Sequence, residues 1–465
     1  MNKSNLWSLR LGFSNKQANL IEQYGLDKFL TLSFKTKVDS TEPDFISSEP
    51  KTIADLLALR KQIKNADTTD VKTIVSKQVK KTNELKNWWL HKIQVDELPL
   101  REKMTCFWHN HFVATAQKVK VPYWVFTHNQ ILRENAFGNY KTITKKILYS
   151  NAILKYLDNT DNKVDKINEN LSRELLELFT LGIGNYTEND IKNGAKALAG
   201  LTVGDDGLGM YRPRLEDNSD KTYLGKTGNW KADDLVDILF EQKNTPFFIT
   251  ERILKWFIYD NPSNELIEYY GTYFKKVNFE IQPLLTKIFT EEYAKNNAGN
   301  KIKDPLVYLM QMSNALQISA MPVQLIAFFI KQQGMDLFNQ LNVKGWQGGT
   351  NWLTSQIYLQ RNTTSDLQCS GRTLVRKKND DDNGEAPSIE IKKNDVAINR
   401  NRKSKTNTEV IAELANQFVF KVDENMQKDM EQILKYDFDP NSAGADFAVL
   451  RLFNYITKTP EFQLI

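Results

Sequence analysis

Two short blocks hold most of the groups in this 465-residue chain that could bind, move a proton or ligate a metal. The first is Phe107-Trp108-His109-Asn110-His111-Phe112, which sets two of the chain's four histidines between aromatic rings. The second runs Asn168-Glu169-Asn170 and continues as Arg173-Glu174-Leu175-Leu176-Glu177. Histidine titrates near neutrality and is the commonest metal ligand. A half-buried carboxylate pair supplies metal ligands, or an acid whose pKa burial has raised. His109, His111, Glu174 and Glu177 are therefore the catalytic candidates, for a metal-assisted hydrolysis. Trp108, Asn110, Arg133, Asn170, Arg173, Lys226 and Trp346 are the candidates for binding.

Spacing weighs against the sharper reading. Two residues apart on a helix means about 200° of rotation, so His109 and His111 could not both face one metal. Helical zinc sites use His-x-x-x-His instead. Glu174 and Glu177 share a face, but Arg173 and Glu177, four apart, can pair as a surface bridge. A buried glutamate would need a cation or donor, and Arg133, Arg173 or a histidine is the expected partner. The sequence thus favours a buried His/Glu/Arg network in a helical scaffold. Its blocks at 107–112 and 170–177 are expected to pack together, with their polar groups meeting. The metal stays unknown: the pattern requires no cofactor, and a divalent ion is the alternative.

Other signals are weaker. Leu224-Gly225-Lys226-Thr227-Gly228 invites a phosphate-loop reading, but the position five before Gly225 is Asp220, where that motif requires glycine. A turn with Lys226 at its tip is the better expectation. Gly345-Trp346 and Gly348-Gly349 allow backbone to approach an aromatic face, as in a sugar or peptide groove. Cys106 reads as a core residue, whereas Cys369, at the edge of a polar stretch, is expected at the surface; no disulfide framework is implied.

The elements that must position these groups are helices. Apolar residues recur near a 3.6 period at Ile53–Ile63, and long candidates run over Val71–Ile93, Leu98–Ala116, Asn170–Leu181 and Pro305–Gln332. Gly200, Gly204, Gly207, Gly209, Gly225 and Gly228 make 200–230 a long loop or small hairpin. The expected fold is mainly α: a core domain over 1–371 with the excursion at 200–230, a flexible charged insertion at 372–405, and C-terminal helices over 406–465 packing back on the core. The insertion is expected to be flexible because it is charged and short of large apolar groups.

Net charge is +5, too slight and too dispersed for nucleic acid. No apolar run reaches the roughly 18 residues of a membrane span. If Met1 is the natural start, the lack of an apolar leader points to the cytoplasm.

The blocks also carry a resemblance. With Leu9-Arg10-Leu11-Gly12-Phe13, Trp88-Trp89-Leu90, Glu102-Lys103-Met104, Asn129-Gln130…Arg133, Tyr156-Leu157-Asp158-Asn159, Ala197-Leu198-Ala199-Gly200, Lys221-Thr222-Tyr223-Leu224-Gly225, Asn342-Val343-Lys344-Gly345-Trp346 and Pro460-Glu461-Phe462, they resemble the bacterial domain-of-unknown-function 1800 family over almost the whole chain. The resemblance implies a helical fold and no mechanism. It implies a sulfatase-like protein encoded nearby as a partner, and an exported, cell-envelope setting as the alternative address. Relatives often carry His at the position of Phe179 and His-Asp at Glu216-Asp217, so a shared multi-histidine site is not expected here. The function expected is a binding or assembly protein for a protein or glycan partner, with metal-assisted hydrolysis as the alternative.

Overall fold

The computed structural model describes residues 1–465 except 66–67, 296, 319–320, 377–388, 394–395, 399–405, 436–438, 440–441 and 443. Its described residues form 23 α-helices and three two-stranded antiparallel sheets, so the protein is mainly α. Among them, no helix is long and apolar enough to cross a membrane.

The Leu100–His111 helix lies at the centre. Pro99 precedes it, and ten of its twelve residues are buried, including Glu102, Lys103, His109 and His111. A helix buried on every side belongs inside a larger protein, and its polar side chains must find partners there. The Thr68–Val95, Pro122–Glu134 and Thr245–Phe257 helices surround it, contributing Trp89, Trp124 and Trp256 to one large apolar cluster.

A second apolar cluster gathers Asn407–Phe418, Glu424–Leu434 and Ala445–Thr457 through Leu414, Phe418, Met430 and Phe453. The Pro305–Ala315 helix belongs to both: Leu306, Val307 and Leu309 enter the large cluster, Tyr308 and Met312 the second. The chain's end returns to the larger body, with Leu464 bridged to Ile302 and backbone bonds joining Lys301 and Ile465.

The glycine-rich 200–230 stretch forms two small hairpins. Leu201–Thr202 pairs with Met210–Tyr211, and Lys221–Tyr223 with Lys226–Gly228. The second turns through Leu224 (φ 48°) and Gly225 (φ 84°), the paired positive φ values that a two-residue hairpin turn needs. Lys226 thus opens the second strand instead of capping the tip, and it pairs with Glu241.

Other expectations need correction. The stretch read as one helix over Pro305–Gln332 is two, Pro305–Ala315 and Val323–Gln332. Gln317 sits at φ 52°, and Pro322 disfavours helical backbone in the residue before it. Cys369 is buried, not exposed, and burial pushes its thiol up to about 12. In the span read as a charged insertion, Arg372–Arg376 pairs with Ile389–Lys393 as a third hairpin; the flexibility expected of 377–388 and 399–405 falls outside the described residues.

Candidate functional site

Four consecutive side chains at the end of the central helix reach four different segments. At about 100° per residue, neighbours on a helix point in different directions. The Trp108 indole donates to the Ala136 carbonyl at 3.2 Å. His109 Nε2 accepts from the Phe338 N–H at 3.1 Å. Asn110 grips Trp346 twice: Oδ1 accepts from its N–H at 2.5 Å, and Nδ2 donates to its carbonyl at 3.1 Å. His111 Nε2 lies 3.0 Å from the Phe179 carbonyl and donates to it. The block is an anchor point for chain segments up to 236 positions away.

Both histidines are therefore held neutral. His109 accepts at Nε2, so its proton is on Nδ1; His111 donates from Nε2, so its proton is there. Burial, aided by nearby positive charge, holds both far below the ordinary histidine range. His109 is 0 % exposed, wedged between Trp89 and Phe338 rings at 5.0 Å.

The second block is only partly an α-helix. After Asn170–Glu174 the backbone widens to a π-helix over Leu175–Thr180, where a regular helix was expected to Leu181. Thr180 Oγ1 caps the Leu175 carbonyl, five residues back, at 2.5 Å. The π turn places the Phe179 carbonyl where both His111 and the Tyr140 hydroxyl donate to it. The blocks do touch, but through this backbone atom and through the Phe112 and Phe179 rings, 5.2 Å apart.

The polar groups do not meet in one network. Glu177 accepts from the Tyr186 hydroxyl at 3.0 Å. Arg173 pairs with Glu169 and Glu188, not with Glu177. Glu174 stays half-buried beside Glu177, and burial raises its carboxyl above the usual range, with Glu177's charge adding to the rise. Asn170 sits at the helix start, its N–H on Asn168 Oδ1.

Arg133 is bound elsewhere. Its guanidinium donates to both oxygens of Glu102, at 2.7 and 3.0 Å, and to Asn129 and Gln130 at 2.7 and 2.6 Å. The Trp89 indole completes the Glu102 carboxylate at 2.7 Å. Burial acts to raise the Glu102 pKa, but the charge and hydrogen bonds of Arg133 overcome it and hold the carboxylate ionised. Trp108 and Arg133, read as binding candidates, are 0 % and 1 % exposed and do not line the cleft beside His111.

A solvent-reaching cleft of about 360 Å³ opens beside the anchor point. His111, Asn110 and Phe107 form one wall, Arg252, Lys255 and Trp256 a second, and the loop from Trp346 to Trp352 a third. Asp260, Asn261 and Lys301 complete the lining. Trp346 and Asn110 are the binding candidates brought here, and His111 the catalytic one; Glu174, Glu177, Arg173 and Lys226 are not in its lining. Among the described residues, no three His, Cys, Asp or Glu side chains stand as a metal-ligating group.

Sequence reading missed Arg252, Lys255, Trp256 and Trp352. The signal was present: 252, 255 and 256 stand at i, i+3 and i+4 and so share a helix face. The Trp346 loop also depends on Gly345, at φ 74°, where an added Cβ would lie 2.3 Å from Asn110 Oδ1. Gly345→Ala is expected to destabilise the protein by about 2 kcal/mol or more, through strain and the lost Asn110 grip. Gly184→Ala is the control: it has a similar φ of 86° with nothing within 4 Å. Equal melting-temperature losses in the two variants would refute the grip.

Comparison with known proteins gives one match. A family model described as "Protein of unknown function (DUF1800)" matches residues 6–464. No curated protein and no solved structure matches the chain.

Proposed function

Since the chain belongs to the DUF1800 family of proteins of unknown function, no activity comes with membership, and we propose from the cleft itself that this is a binding protein whose ligand is a glycan. The observation that carries the reading is the cleft's lining: Trp256, Trp346 and Trp352 beside the polar side chains of Asn261, Gln347 and Thr350. An indole offers a flat apolar surface to the C–H face of a sugar ring. The amides and hydroxyl beside it suit sugar hydroxyls, and the volume falls within the ordinary range of small-ligand sites. In this reading the His109–Asn110–His111 block builds the cleft wall and fixes the Trp346 loop, and the scaffold stays helical around it.

The alternative is a metal-assisted hydrolase using His109 or His111 with Glu174 or Glu177. Its support is that His111 reaches the cleft wall. Against it, His109 is committed to Phe338 and Glu177 to Tyr186.

The test is a glycan array probed with the full chain, followed by titration of the best binder. Trp256→Ala is expected to weaken that binding about tenfold, equivalent to about 1.4 kcal/mol. An array with no signal above background would sink the glycan reading. Cleavage of a bound glycan, lost in His111→Gln, would replace it with the hydrolase reading.

A further inference from the structure

We infer that the cleft recognises an oxyanion, a carboxylate or sulfate carried by its ligand, with the Arg252 guanidinium as the group that binds it. This deepens the glycan reading and rests on the same cleft.

Among the described residues lining the cleft, Lys301 and Lys255 each have a direct carboxylate partner and Arg252 does not. Lys301 is buried, donates to the Lys255 carbonyl at 2.8 Å and lies 3.6 Å from Asp260 Oδ1. Asp260 is used in turn by the Ile302 N–H at 2.8 Å. Lys255 pairs with Glu251, one turn back on the same helix, at 2.6 Å. Glu251 also acts on the neighbouring Arg252 through its charge, but makes no direct ion pair with it. Arg252 itself has neither an ion pair nor a hydrogen-bond acceptor among the described residues. Its guanidinium lies over the Phe248 ring, 4.6 Å from the centroid, a contact that does not neutralise its charge.

A guanidinium carries five donors and no acceptor, and no Arg252 nitrogen is among the buried, unpartnered ones, so they are open to the cleft. Arg252 is half-buried in the cleft wall, and burial lowers its pKa from the usual arginine value. Most partly buried arginines solve this with a carboxylate. This one sits against an aromatic ring with no hydrogen-bond acceptor among the described residues, beside a ligand-sized opening. The planar fork matches two oxygens of a carboxylate or sulfate, as a lysine at the same place would not. The adjoining Trp256 and Trp346 indoles each carry a buried N–H without a partner. An incoming oxyanion supplies what the wall lacks.

The experiment titrates the full chain with inorganic sulfate, glucuronate and glucose at constant ionic strength, read by tryptophan fluorescence. Arg252→Gln and Arg252→Lys are titrated alongside, each first checked for an unchanged circular-dichroism spectrum. Sulfate and glucuronate are expected to saturate the wild type. Their affinity should fall at least tenfold in Arg252→Gln and less in Arg252→Lys, which keeps the charge and loses the fork. Sulfate bound without either sugar would uphold the oxyanion site and count against the glycan reading. Glucose bound as well as glucuronate, with Arg252→Gln unaffected, would overturn the oxyanion site while the glycan reading stood. No saturable response to sulfate or glucuronate in the wild type would overturn it too.

Discussion

Arg133→Met is expected to cost the fold about 3–5 kcal/mol, the usual penalty for leaving one member of a buried ion pair without its partner. Both Glu102 oxygens are engaged, by Arg133 and by Trp89, and the pair joins the Leu100–His111 helix to Pro122–Glu134 with almost no solvent contact. Removing the cation leaves a buried carboxylate with an indole as its remaining donor. That carboxylate must then take up a proton or draw water into the core, and either route is costly. The double variant Arg133→Met/Glu102→Met is expected to recover much of the loss, because no uncompensated charge remains. Urea unfolding of the wild type, both single variants and the double closes the cycle. A single-variant loss below about 1 kcal/mol would show that the pair is worth no more than an exposed one.

The second large effect is with pH. Burial holds His109 and His111 far below the ordinary histidine range and His128 down to about 4. All three take up a proton near pH 6.5 once unfolded. Below that value the unfolded chain binds more protons than the folded one, so stability falls as pH falls. Each histidine contributes up to about 1.4 kcal/mol per pH unit, so three give a limiting slope of roughly 4. Against a total stability of about 5–15 kcal/mol, acid unfolding is expected between about pH 6 and 4. Glu174, Glu49 and Asp96 act oppositely: burial raises their carboxyls, so protonation favours the folded state as pH drops. They are half-exposed, and their opposition is correspondingly weak. Denaturant midpoints measured from pH 7.5 to 4.5 should show the slope, and His128→Gln should lower it by about one proton. A flat profile between pH 6.5 and 5 would contradict the neutral, buried histidines.

Much of the fold was legible because it is local. Helical periodicity and the glycine-rich 200–230 stretch depend on residues within a few turns of one another, and the helices and hairpins formed there. The central helix was legible as well, since Leu98–Ala116 is apolar between its polar positions, though it runs only from Leu100 to His111 and stops at a non-helical Phe112. The partners of those polar positions were not. Asn110 meets Trp346 and His109 meets Phe338 across more than 200 residues, and no periodicity encodes such a pairing. Glu102 lay in plain view in the same block, yet Arg133 looked like a partner for Glu174, because the side toward which each helix turns is set by tertiary packing. The π turn was hidden for a different reason. Leu-Leu-Glu-Leu-Phe-Thr has the composition of an ordinary helix, and the one-residue widening shows only in which carbonyl each N–H reaches. Arg252 went unread because a lone arginine on an amphipathic helix normally finds a carboxylate, and only the folded arrangement shows that this one makes no direct pair.

The helix at Pro305–Ala315 faces protein on every side, with all but Asn314 buried. Pulling the C-terminal helices away would wet Tyr308 and Met312, and pulling the larger body away would wet Leu306, Val307 and Leu309. Neither half can melt while the other keeps its own interior dry. The two clusters are thereby coupled through one helix, and damage among the C-terminal helices is felt in the larger body.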